Sequence, residues 1–265
     1  MPELSPESNN NYQESPPVSI NLPQLKPSFG WLLAIVVAYL LGSMGFGMYL
    51  GAVEGFNAAR AGNTAINPEV IGAAVQAAFN TPAGLAGMYL FQFICIMPVI
   101  YWAANFPQQS WRQTLAVNPV RMALLKRYTG ILALYLIAET LLTYAFTLDG
   151  GDVIKMVQGS QHLGVALVIS LLAPIMEEAI FRGYLFKAWR NTRLGFSGTL
   201  LLTSLLFTLL HYGQYAWPIL AMLFVFSLIL GFAREKSGSL LLPILLHGIN
   251  NLLSVVTIVY LGMDF

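Results

Sequence analysis

Ala173-Pro174-Ile175-Met176-Glu177-Glu178-Ala179-Ile180-Phe181-Arg182 places three ionisable residues inside an apolar segment that begins near Leu163. A charged side chain at the centre of a membrane helix costs roughly 2.5–3.5 kcal/mol on the insertion scale. Two carboxylates and a guanidinium here therefore need a physical reason. Helical spacing separates the carboxylates. Glu178 and Arg182 are four apart and share a face, so they can pair. Glu177 is rotated away by about 100° and has no cation of its own on the helix. One reading is a buried ion pair beside a free, reactive carboxylate. The plainer reading is a pair of glutamates at a solvated helix end.

Composition decides between membrane and water. The chain has 265 residues, 57% hydrophobic and 9% charged, with mean hydropathy +0.66. A soluble domain has about 25% charged residues, so this is an integral, multi-pass membrane protein. A net charge of +1 gives no sign of nucleic-acid binding. The single Cys95 lies in an apolar run, which excludes a disulfide within the chain and a CxxC metal site. It reads as a small buried hydrophobe.

The expected architecture is an all-α bundle of about seven transmembrane helices. Residues 1–28 are proline-rich and polar and read as a disordered tail, not a cleaved signal peptide. Residues 29–162 are expected to carry three spans, about 29–53, 85–106 and 128–148. Residues 163–265 carry four more, about 163–186, 196–212, 217–233 and 240–261, and form the core that holds the chemistry. Gly47 and Gly51 make a small-xxx-small spacing that points to close helix contact. Asn67-Pro68-Glu69 starts a short helix over about 68–79, with Asn as cap and Pro at the first position. Glu139 reads as a polar contact to a neighbouring helix, and His162 as an exposed residue at a helix start. Pro174 removes a backbone donor and should kink its span.

Ten of the 13 Lys and Arg fall in the N-terminal segment and the connections at 107–128, 187–195 and 234–239; two fall on the other side, and Arg182 is within a span. The positive-inside rule then puts the N-terminus in the cytoplasm, in a membrane of the bacterial plasma-membrane type. At ~1.5 Å per residue, Glu177 and His211 lie about 15–20 Å from the basic turn at 187–193. His247 and Asn251 lie about 10–17 Å from the turn at 234–236. All four converge at one depth. Phe207 and His211 share a helix face, as do His247 and Asn251. A carboxylate can take a proton from water, while imidazole and carboxamide groups can hold that water and stabilise an oxyanion. These are the parts for attack by water on an amide.

Glu177-Glu178-Ala179-Ile180-Phe181-Arg182 reads EExxxR, Phe207-Thr208-Leu209-Leu210-His211 reads FxxxH, and His247-Gly248-Ile249-Asn250-Asn251 reads HxxxN. The ordered trio, over about residues 163–255, resembles the CPBP family, also called Abi or type II CAAX prenyl endopeptidases, which are intramembrane proteases. The resemblance implies that Glu177 activates water, that His211, His247 and Asn251 complete the site with Phe207 as a wall, and that Glu178 and Arg182 are a supporting pair. It implies a membrane-associated peptide or protein substrate in the lipid bilayer, prenylated or not. Members have been called metalloproteases, so zinc on Glu177, His211 and His247 is the alternative. HExxH is absent, and with Glu177 on the metal no clear base remains, so a reaction that needs no cofactor is favoured. The other classes are a non-catalytic scaffold or bacteriocin-immunity protein, and a proton-coupled transporter using Glu139 and Glu177. The transporter lacks support from any repeat between the two halves.

Overall fold

The computed structural model describes residues 25–62, 67–106, 109–148 and 150–263. The chain runs through helices α1 (Leu25–Arg60), α2 (Pro68–Phe79), α3 (Pro82–Asn105), α4 (Trp111–Thr114), α5 (Met122–Phe146) and α6 (Asp152–Val157). It continues through α7 (Leu163–Arg190), α8 (Gly195–Leu209), α9 (Trp217–Ser237) and α10 (Leu241–Tyr260). Six of these, α1, α3, α5, α7, α9 and α10, are long and apolar enough to cross a membrane. The seventh apolar helix, α8, has 15 residues. At ~1.5 Å per residue it is about 22 Å long, short of a hydrocarbon core of about 30 Å.

The 1–28 tail needs correction at its end. Residues 1–24 lie outside the described residues, as does Asp149, but Leu25 to Ser28 already form the first turn of α1. Pro27 is tolerated there because a first-turn N–H has no intrahelical partner. Ser28 is buried and accepts a hydrogen bond from Trp189 Nε1 at 2.8 Å, which ties α1 to the end of α7. At its far end α1 runs on to Arg60, beyond the expected 53. The helix at 68–79 forms as read, with the Asn67 side chain accepting from the Glu69 N–H. Gly47 and Gly51 make only ordinary contacts, to Phe79 and Val75 of α2. The close crossing of α1 and α3 is at Gly42, where a Cβ would sit 2.7 Å from the Gln92 Cα.

α7 is buried at the centre, with half of its most apolar window inside the bundle. It is not a uniform α-helix: Val168–Leu172 and Ala179–Leu185 are π-helical and flank the turn that carries the glutamates. Pro174 explains the first widening. It has no N–H to give, and in the i→i−5 register beside it, where Ala173 N–H donates to Val168 O, the carbonyl left without a donor is that of Ile169. That carbonyl is reclaimed from α10, where Asn251 Nδ2 donates to Ile169 O at 2.9 Å. Gly248 makes the approach possible, because a Cβ there would stand 3.3 Å from the Ser170 carbonyl. Asn251→Ala leaves Ile169 O without this donor, so it should lower stability by about 1–3 kcal/mol. Thermal unfolding in detergent reads this out, and an unchanged melting temperature would contradict it.

Contacts between connections sort the bundle into two ends. Ser28 with Trp189, Asn118 Nδ2 with the Gly238 carbonyl, and Arg190 with Glu235 gather the basic segments at one end. Gly159 N–H donates to Ile258 O and Gln158 Nε2 to Gly262 O at the other. In a Cys95→Ala background, Asp152→Cys and Lys236→Cys should therefore react with an impermeant thiol reagent from opposite sides of the membrane. Labelling from one side only would overturn this arrangement.

Candidate active site

Glu177 and Glu178 come from the α-helical turn of α7, Phe207 from the last turn of α8, and His247 from α10. Glu178 and Arg182 are 0% exposed and form the i,i+4 pair, with Arg182 Nη1 2.9 Å from Glu178 Oε1. Arg182 is held on two further sides. Its Nη2 donates to the Ser227 carbonyl and hydroxyl on α9 at 2.7 and 2.5 Å, and its guanidinium lies 4.8 Å from the Phe207 ring centroid. Phe207 is fully buried and also contacts Phe181, His211 and His247 by ring edge or tilt. The wall residue is thus the hub on which the cation and both imidazoles rest.

The role read for Glu178 is too narrow. The Oε1 that binds Arg182 also accepts from His247 Nδ1, again at 2.9 Å. A carboxylate can only accept, so Nδ1 carries a proton, and Nε2 is a lone pair whenever the ring is neutral. That Nε2 is 3.9 Å from Glu177 Oε2. His247 therefore bridges the two glutamates, hydrogen-bonded to one and separated from the other by a gap. The same logic applies to His211, whose Nδ1 lies 2.9 Å from the Phe207 carbonyl. A carbonyl also only accepts, so Nδ1 carries the proton here too, and Nε2 is not used by this bond.

His211 departs from its expected place. α8 ends at Leu209, so His211 sits in the turn beyond the helix and not on it. The reason is visible in its bond: the last carbonyls of a helix lack intrahelical donors, and the imidazole satisfies that of Phe207. Tyr215 then stacks on His211, with centroids 6.0 Å apart and planes at 19°. Burial, reinforced by the carboxylates of Glu177 and then Glu139, pushes the Tyr215 phenol up to about 12, so it stays protonated at neutral pH. Asn251 lies one turn beyond His247. One N–H of its amide is committed to Ile169, and its Oδ1 accepts from Asn250 Nδ2 at 3.3 Å.

The structure thus brings together Glu177, Glu178, Arg182, Phe207 and His247, with His211 joined through Phe207. Ser227 and Tyr215 were missed. Ser227 has no signal in the sequence; Tyr215 has a faint one, as an aromatic residue four positions after His211. Tyr135, one turn before Glu139 on α5, donates its hydroxyl to the Met222 carbonyl of α9 at 3.2 Å. His162 caps α7, its Nδ1 accepting from the Val165 N–H at 3.2 Å.

Among the described residues no three His, Cys, Asp or Glu side chains are grouped so as to hold one metal ion. The Nδ1 bonds of His247 to Glu178 and of His211 to the Phe207 carbonyl leave both Nε2 atoms open and are compatible with a water or a metal ion there. A neutral carboxamide such as Asn251 is a poor zinc ligand.

The type II CAAX prenyl endopeptidase Rce1-like family model matches residues 159–253. An uncharacterized 24.3 kDa protein of Escherichia coli is 34% identical over 171 residues, covering 61% of this chain and 73% of that protein. UPF0177 protein YajF of Lactococcus lactis is 40% identical over 74 residues, covering 28% of this chain and 34% of that protein. No solved structure matches the chain.

Proposed function

The chain belongs to the CPBP family, whose Rce1-like model describes type II CAAX prenyl endopeptidases, and from that premise we propose that it is an intramembrane endopeptidase driven by Glu177. The observation that carries this reading is the 3.9 Å gap between Glu177 Oε2 and His247 Nε2. It is too long for a direct hydrogen bond, and a water can bond to both atoms at once. Among the described residues no Lys or Arg is paired with this carboxylate, since Arg182 is turned onto Glu178 and Ser227.

In the reaction the water gives a proton to Glu177, and its oxygen attacks the scissile carbonyl carbon. The second amide N–H of Asn251 serves the oxyanion. The C–N bond then breaks as Glu177 returns the proton to the departing amine. One water is consumed, and a carboxylate and an amine are formed. The water's second O–H is held by the His247 Nε2 lone pair, His211 lines the site beside them, Glu178 fixes the His247 ring, and Arg182 neutralises Glu178. The substrate is a peptide or protein that presents its bond at membrane depth, with or without a prenyl group. The basic end of the bundle faces the cytoplasm, following the positive-inside rule.

The test compares membrane-fraction peptides from cells carrying the wild type or Glu177→Gln by mass spectrometry. New carboxyl termini that depend on Glu177 are expected, and their sequences identify the substrate. Identical peptide sets at equal protein levels would contradict the assignment and favour a non-catalytic role.

A further inference from the structure

At the basic end of the bundle, the ends of α7, α8 and α9 carry a polar feature that peptide hydrolysis does not use. Phe186, Phe196 and Phe232 form a ladder of rings with successive centroids 6.5 and 5.3 Å apart. Two guanidinium groups lie over it, Arg234 at 5.6 Å from Phe186 and Arg190 at 5.6 Å from Phe196. Their charges are treated differently. Arg190 grips Glu235 through both Nε and Nη2, at 3.0 and 2.6 Å. Arg234 is only 7% exposed, and its Nε donates to the Arg182 carbonyl at 2.8 Å. That bond occupies one donor of five. Among the described residues, its two Nη groups have no hydrogen-bonded acceptor, and neither has Lys187 Nζ. Lys187 is half-buried and within electrostatic range of Arg234. The carboxylate next in sequence to Arg234 is Glu235, already taken by Arg190.

Glu235 acts on Arg234 only at a distance while hydrogen-bonded to Arg190, and the Arg234 Nη groups reach the surface beside a second cation, so two positive charges share one direct counter-ion too few and favour an added anion. This end of the bundle carries the basic connections, at the level where lipid phosphates lie. Basic pockets between membrane helices at that level bind anionic headgroups. Phe232 is 42% exposed, which offers an apolar edge outside the two cations. We infer that Lys187 and Arg234 hold the phosphate of an anionic phospholipid between α7 and α9. Charge-assisted hydrogen bonds from the free Nη groups and Nζ are made to its oxygens, and its chains lie along Phe232.

Full-length protein in a neutral detergent is titrated with phosphatidylglycerol, phosphatidylcholine or inorganic phosphate, and its melting temperature is followed. Phosphatidylglycerol should raise it by at least ~3 °C, a shift that binding to the folded state can supply, and phosphatidylcholine should not. Lys187→Gln should lose at least half of that shift. Arg234→Gln should lose it too, and if that variant does not fold, Lys187→Gln carries the test. The control is Lys126→Gln with Arg127→Gln, two exposed residues on α5, which should keep the full shift. A control that loses as much as Lys187→Gln would mean diffuse attraction and would overturn the site, as would a Lys187→Gln protein that responds like the wild type. Saturation by inorganic phosphate alone would keep the phosphate site and overturn the lipid as its source. None of these readings depends on proteolysis.

Discussion

A Glu178→Gln protein should melt far below the wild type and cleave poorly. Breaking a buried ion pair from one side costs about 3–5 kcal/mol in soluble proteins, which at this chain length is a drop of about 10 °C. Arg182 has no easy relief by snorkelling, because it is 0% exposed and pinned to Ser227 on α9. The new amide adds a second penalty. Among the described residues Glu178 Oε2 has no hydrogen-bond partner, so an NH2 placed there would be a buried donor without an acceptor. Glu178→Gln combined with Arg182→Met should recover part of the melting temperature, since no unpaired charge remains. It should not recover activity, because His247 Nδ1 no longer faces a carboxylate. Turnover should stay at least ~10-fold down, the lower end of what loss of an orienting carboxylate costs in other sites. Circular-dichroism melting and peptide cleavage on the same preparations check both halves. Full recovery of activity in the double variant would show that the His247 bond is incidental.

Glu177→Gln should behave in the opposite way. It keeps size and hydrogen bonding, removes a carboxylate that has no paired Lys or Arg among the described residues, and should melt at or above the wild-type temperature. Cleavage should fall at least ~10²-fold, the lower end of what a general base contributes. His247 Nε2, at 3.9 Å, is too far to be lost as a structural hydrogen bond. An unstable Glu177→Gln beside a stable, inactive Glu178→Gln would mean that the two roles are reversed.

Much of this was legible in the sequence because it is local. The i,i+4 spacing gives the Glu178–Arg182 pair. The Asn67-Pro68 start gives α2. The apolar runs give the spans, and the matched depths of Glu177 and His247 point to the site. What was hidden depends on contacts between distant residues. The second bond of Glu178, to His247, joins positions 69 apart, and the Arg182–Ser227 bonds join positions 45 apart. No spacing rule on one helix contains them. The end of α8 before His211 was hidden for another reason. No stop signal stands at that point: Leu209 and Leu210 continue the apolar run, while the chain turns at Leu210 and only Gly213 marks the loop. Similarly, a proline in the sequence announces a disturbance in α7, but not that Asn251 repairs it from another helix.

Loss of activity in Glu177→Gln is silent on one point, since a base and a metal ligand would both be lost. The deciding measurement is cleavage of the identified substrate by purified wild-type protein, with metal content determined before and after chelation. The account predicts full activity at well under one zinc per chain and no loss on chelation. Activity that disappears with a tightly bound zinc and returns with it would make Glu177 a ligand and remove it as the base.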